Sequence, residues 1–186
     1  MKRLILGITG ASGSIYAKRL MEILAETDIY VHVVPSKTGL QVFKYETGLE
    51  LSDLVAVSER FTLERYDNFF SGVASGSFQA DGMVILPCSV SSLGYIAGGM
   101  SANLLHRAAA VNLKERRKLL VALREMPLTS VDLQNMLTLS NNGAVILPLC
   151  PGFYHKPQSI DDIVNFIVGK VMDGLGIENN IYERWE

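Results

Sequence analysis

The 186-residue sequence predicts a three-layer α/β domain, a parallel β-sheet with helices on both faces. Three observations carry that expectation. Short apolar runs recur along the chain, stretches with apolar residues at helical spacing separate them, and the junctions hold glycine, serine or proline. Strands covered on both faces are unbroken apolar runs rather than alternations, and parallel neighbours need a crossover between them.

RLILGI is the first strand, and SIYAKRLMEILAE follows with Ile15, Leu20, Ile23 and Leu24 on one helix face. IYVHVVPS, rich in β-branched residues, is the second strand, and TGLQVFKYETG is a helix closed by Gly48. Residues 50–78 fit neither period and end in the loop-like SGVASGS. DGMVILPC, KLLVALRE and GAVILPLC are three more strands, separated by the helical patterns SANLLHRAAAVNLKERR and TSVDLQNMLTLSNN. Thr129 with Asp132, and Ser159 with Asp162, have the capping spacing that starts a helix. Without repeats, low-complexity stretches or linkers, the expectation is five strands in one domain, residues 1–186.

With 48% apolar residues, only 19% charged and a positive mean hydropathy, the composition predicts a homo-oligomer that hides apolar faces. A net charge of −2 without a long basic run indicates neither nucleic acid nor an anionic membrane as partner. The first apolar stretch is broken by Gly7 and Gly10 and is too short for a signal or membrane helix. Cys88 and Cys150, each beside a proline, suggest neither a disulfide framework nor a metal cluster. The expected location is cytoplasmic.

In such a sheet, ligands bind beyond the carboxyl ends of the strands. GITGASGS, with Gly10, Ser12 and Gly13, follows strand one; its glycines allow close approach and its donors suit an anion, though a plain tight turn has the same composition. It is neither the G-x-G-x-x-G fingerprint nor a P-loop. Ser36 and Lys37 end strand two. Ser89, Ser91 and Ser92 fall at a helix start, where serines either cap the helix or hold a phosphate. Cys88 reads as a small buried hydrophobe rather than a nucleophile.

Asn103, Arg107 and Lys114 share one face of their helix, as a solvated surface stripe also would. Strand four delivers Arg124 and Glu125, adjacent residues that point to opposite faces and so do not pair with each other. Strand five delivers PGFYHKPQS, with Tyr154, His155 and Lys156 in a loop bounded by proline and glycine. Several cations and one carboxylate at one edge, without metal-ligand spacing, suggest a phosphorylated substrate bound by protein charge, with the acid available for proton transfer.

TGASG, SKTGLQVFKYETG, MVILPCS, RAAAVNLKERR, REMP, GAVILPLCPGFYHKPQS and the final ERW together resemble the UbiX-type flavin prenyltransferases, from residue 3 to Trp185 in register. The resemblance implies a flavodoxin- or Rossmann-like fold and a metal-free transfer of the dimethylallyl group of dimethylallyl monophosphate to N5 and C6 of reduced FMN. The product, prenylated FMN, would serve a UbiD-type decarboxylase. It implies that Gly10, Ala11, Ser12, Ser36, Ser89, Val90, Ser91, Ser92 and Arg124 hold FMN, and that Arg107, Lys114, Arg124, Tyr154 and Lys170 surround the substrate phosphate. Ser12, Glu46, Lys114 and Glu125 would be catalytic, and Trp185, in a C-terminal tail 177–186, would close the site. It further implies a dodecamer, with GYIAGGMSANLL at residues 94–105 packing between subunits.

Two departures stand out. Lys170 occupies a position where the family usually has arginine, keeping the charge but losing the planar two-pronged grip. Residues 50–78, including Tyr66, Phe69 and Phe70, match no motif. Two other readings stay open: an FMN-dependent cysteine decarboxylase, whose substrate motif SANLL at residue 101 only partly echoes, and a non-catalytic flavin carrier, which would have no use for the clustered charges.

Overall fold

The computed structural model describes residues 2–184. Six strands, β1 (Arg3–Ile8), β2 (Tyr30–Pro35), β3 (Phe61–Leu63), β4 (Gly82–Cys88), β5 (Lys118–Leu123) and β6 (Val145–Ile146), form one sheet in the order β3-β2-β1-β4-β5-β6. Every neighbouring pair is parallel. That is the Rossmann strand order; without the three-residue β3 it becomes the flavodoxin order. The seven helices are α1 (Ser14–Ala25), α2 (Lys37–Thr47), α3 (Leu51–Val55), α4 (Val90–Ala97), α5 (Leu104–Lys114), α6 (Ser130–Asn141) and α7 (Ile160–Leu175). None is long and apolar enough to cross a membrane among the described residues.

The two-residue period of the strands divides the core. Leu4, Leu6 and Ile8 of β1, with Val84 and Leu86 of β4, pack against α1, α2 and α7. Ile5, Met83, Ile85 and Val121 face the other way, onto α4, α5 and the end of α6. Because both faces are covered, β1 and β4 show no polar alternation, which is why their sequences are continuous apolar runs. Pro87 is accommodated in a central strand by a register shift between Ile85 and Cys88, and its carbonyl is satisfied by Thr9, just past β1.

The sequence reading differs from the structure at three elements. The sixth strand, β3, lies in the segment that matched no motif and pairs with Val31–Val33. The last apolar run is strand only at Val145–Ile146, although the Leu147 and Leu149 amides continue bonding to Val121 and Leu123, both at 2.9 Å; Pro148 supplies no donor between them. Helix α5 is shorter than SANLLHRAAAVNLKERR suggests, because Asn103 caps it and Arg116 turns into the left-handed region at φ 57°. The caps at Thr129 and Ser159 form as full capping boxes.

The order in which successive strands are added reverses between β1 and β4, the parallel inner pair from which the two halves of the sheet spread. Their carboxyl ends mark the switch point at which an open α/β sheet accepts a ligand.

Candidate active site

Three helices start around that point. The β1–α1 turn passes through Gly13 at φ 114°, a conformation that L side chains resist. The turn is tied to β4 by Thr9: its buried hydroxyl donates to Pro87 O at 2.7 Å and accepts from Ser89 N–H at 2.9 Å. Ser36 caps α2, accepting from Gly39 N–H at 2.9 Å, and a Cβ on Gly39 would run into the Ile8 carbonyl, so only glycine lets α2 start this close to β1. Ser89 caps α4, accepting from Ser92 N–H at 3.3 Å. The α2 and α4 starts present the positive ends of their dipoles at this edge, an arrangement that favours an anion.

Glu46, near the end of α2, reaches α1: its Oε2 accepts from Gly13 N–H at 2.9 Å and Ser14 N–H at 2.7 Å. Burial pushes its carboxyl up, but hydrogen bonds from the Ser12 side chain and from the Ser14 and Gly13 amides outweigh that and hold it below the usual glutamate range. Ser12 and Glu46 are thus neighbours beside the β1–α1 turn.

Arg124 follows β5 and its amide donates to Cys88 O at 3.0 Å. Its Nε is buried and has no hydrogen-bond partner. A buried guanidinium N–H left unpaired is costly, so the site is built for an acceptor that the protein itself does not supply. Glu125 is exposed, and its Oε1 accepts from Met126 N–H at 3.1 Å. The two do not form an ion pair, as alternation along an extended chain requires. Cys88 is fully buried, and burial pushes its thiol up to about 12, which fits a packing role.

Tyr154 stands in the loop after β6, half-exposed, edge-on to Phe166 of α7 at 5.8 Å. His155 stacks on the same Phe166 at 5.2 Å, and Lys156 takes a left-handed φ of 51°. The following tail packs onto α7: Asp173 accepts from Arg184 at 2.8 Å, Tyr182 at 2.7 Å and Asn179 at 2.9 Å. Those donors, Arg184 foremost, outweigh partial burial and hold the Asp173 carboxyl at about 2. Trp185 lies outside the described residues.

The gathering of Arg107, Lys114, Glu125, Tyr154 and Lys170 at one edge is not realised within one chain. Helix α5 runs antiparallel to the strands: Leu104 N–H bonds to Tyr66 O beyond β3, whereas Lys114 sits four residues before β5 begins. Seven residues of helix put Lys114 about 10 Å from Arg107 along the axis, towards the amino edge. There Lys114 pairs with Glu115 and, with Arg116, lines a cleft of about 560 Å³ among the ends of α4, α5 and α6. Arg107 donates from Nε to Ala74 O at 3.0 Å. Lys170 is exposed on α7, ten residues past its start and about 15 Å down the axis.

Sequence reasoning missed Thr9 and the latch at Asp173, because both depend on which strand or helix lies alongside, and that information is not local.

A family model described as Flavoprotein matches residues 1–172. The flavin prenyltransferase UbiX of Methanocaldococcus jannaschii is 45% identical, with 98% of each chain covered. The chain belongs to the UbiX-type flavin prenyltransferase family. Among solved UbiX structures, AnUbiX in complex with FMN and dimethylallyl pyrophosphate superposes with a TM-score of 0.94 at 36% identity, covering 100% of this chain and 97% of that one. A dodecameric FMN-dependent UbiX-like decarboxylase from Escherichia coli O157:H7 gives 0.93 at 38% identity, covering 99% of both. An FMN-dependent cysteine decarboxylase, at 15% identity, 78% and 89% coverage and a TM-score of 0.65, shares the fold alone.

Proposed function

We propose that this UbiX-type chain transfers the dimethylallyl group of dimethylallyl monophosphate to N5 and C6 of reduced FMN, releases phosphate, and supplies prenylated FMN to a UbiD-type decarboxylase in the cytoplasm. The observation that carries this reading is Arg124, whose Nε is buried without a hydrogen-bond partner just past the end of β5, where its amide is tied to Cys88 at the end of β4. The fit to a flavin rests on the same features. Gly10, where a Cβ would strike Thr38, leaves room beside Ala11 and Ser12, and Ser36, Ser89, Val90, Ser91 and Ser92 supply amides and hydroxyls for its polar atoms.

Reduced FMN, when bound, supplies two electron-rich atoms, N5 and C6. The protein's part is electrostatic. Breaking the allylic C–O bond leaves negative charge on phosphate, for which Arg124, Arg107, Lys114, Lys170 and Tyr154 are the assigned donors. One preorganised donor to developing charge is worth about 3 kcal/mol, so several can serve where other enzymes use a metal ion. Glu125 is assigned the proton that must leave C6, and Ser12 with Glu46 a relay. Since Lys114 and Lys170 lie away from Arg124 in one chain, the proposal has them act on a neighbouring copy's site, in a dodecamer. The exposed Met126, Val131, Leu133 and Leu137 around α6 supply an apolar face for such an assembly.

The test is anaerobic incubation with reduced FMN and dimethylallyl monophosphate, followed by the mass of the recovered flavin. A mass increased by one dimethylallyl unit is expected. Flavin that binds and returns unchanged would overturn the proposal.

A further inference from the structure

Behind the start of α4 lies a buried polar pair, of which the proposed flavin site uses only Ser92. Ser92 in the first turn of α4 and His106 in the first turn of α5 are 5% and 3% exposed, and His106 Nε2 lies 3.1 Å from Ser92 Oγ. Tyr95 stacks on the imidazole, with 4.9 Å between centroids and 17° between planes. Asn103, the cap of α5, accepts from the His106 amide at 2.9 Å and fixes where the ring emerges. The second ring nitrogen, Nδ1, is buried with no partner.

The two tautomers are therefore unequal. A proton on Nδ1 would bury an unsatisfied donor; a proton on Nε2 donates to Ser92 Oγ and leaves only an acceptor unpaired, the more tolerable omission. Burial also pushes the imidazole pKa down, which keeps the ring neutral. A Ser92 oxygen that accepts from His106 retains its own O–H, and no described acceptor takes that proton.

We infer that His106 is a positioning residue that, through its hydrogen bond to Ser92 Oγ, fixes the Ser92 hydroxyl as a donor to the flavin at the start of α4. This rests on the flavin reading proposed above. His106 need touch neither flavin nor substrate; it sets which way one hydroxyl points.

The test is a set of FMN dissociation constants, from quenching of flavin fluorescence, for the full chain and its variants Ser92→Ala, His106→Phe, His106→Gln and the Ser92→Ala/His106→Phe double. Phenylalanine keeps a ring against Tyr95, and the glutamine amide can return a donor near the Nε2 position. Ser92→Ala and His106→Phe are each expected to weaken FMN binding about tenfold, the loss of one hydrogen bond. The double variant should lose no more than either single, and His106→Gln should recover most of the affinity. Additive losses, failure of glutamine to rescue, or wild-type affinity in His106→Phe would overturn the inference. Wild-type affinity in Ser92→Ala would overturn it too while leaving the flavin reading in place, whereas a native chain that takes up no FMN would remove both.

Discussion

Arg124 and Glu125 show how one covalent step in the chain separates two tasks. Their neighbour Leu123 is locked in the sheet by pairing with β4 and by its amide bond to Leu147 O, so the two side chains leave from a stiff support in opposite directions. One is a partly buried cation with an unsatisfied N–H; the other is an exposed carboxylate. Arg124→Ala should therefore weaken FMN binding by about tenfold or more, the loss of a charge-assisted hydrogen bond, as fluorescence titration would report. Glu125→Gln should leave FMN affinity near its native value and slow product formation by about a hundredfold or more, the usual contribution of a positioned base. Equal effects of both variants on FMN affinity would contradict the division of tasks. The charged pair was legible in the sequence because it ends an apolar run. The orphaned Nε was not, because burial of a single atom depends on tertiary packing that is not local in sequence.

Helix α1 has no capping side chain of its own; Gly13 at its N-cap provides none. A carboxylate from α2, 32 residues downstream, caps it instead. Because the Glu46 pKa is depressed in the folded state, its stabilising effect is present above the unfolded value near 4.5 and is lost as pH falls through the lower, folded value. Glu46→Gln should cost about 1 kcal/mol at neutral pH and low salt, and the gap between native and variant in urea unfolding should narrow as pH falls below 4.5. A gap that is constant with pH would mean that the charge is not what matters. Local capping was readable, as the Thr129 and Ser159 boxes show, since cap and acceptor lie three residues apart. The Glu46 cap was not legible, because the resemblance marks Glu46 only as catalytic and its partner amides lie 32 and 33 residues away in sequence. Likewise β3 is too short to show any period, and β6 looks longer in sequence because its apolar run continues past Pro148 while regular pairing stops.

At the scale of the whole molecule, α6 presents Val131, Leu133 and Leu137 to the outside and buries only Leu139. With Met126 and Leu128 on its approach, this helix forms one of the exposed apolar faces; Phe69, Phe70 and Met100 are exposed elsewhere. Leu133→Asp with Leu137→Asp should leave the fold intact by circular dichroism and shift sedimentation to a smaller species, since charges on an interface helix oppose burial; unchanged sedimentation would place the subunit contacts elsewhere. That the sheet is parallel and covered on both faces was implicit in the apolar runs, but the strand order and the reach of individual cations were not: pairing is non-local, and a helix that returns antiparallel to its strand carries successive residues from one rim of the sheet to the other. That rim-to-rim span of α5 has a genetic consequence. If Arg124 and Lys114 serve the same reaction from different copies, two dead alleles can make a live protein. Arg124→Ala and Lys114→Ala chains, each inactive alone, should regain activity when co-expressed, with about a quarter of sites intact under random pairing of equal amounts. Co-expression without recovery would mean that both residues act within a single polypeptide.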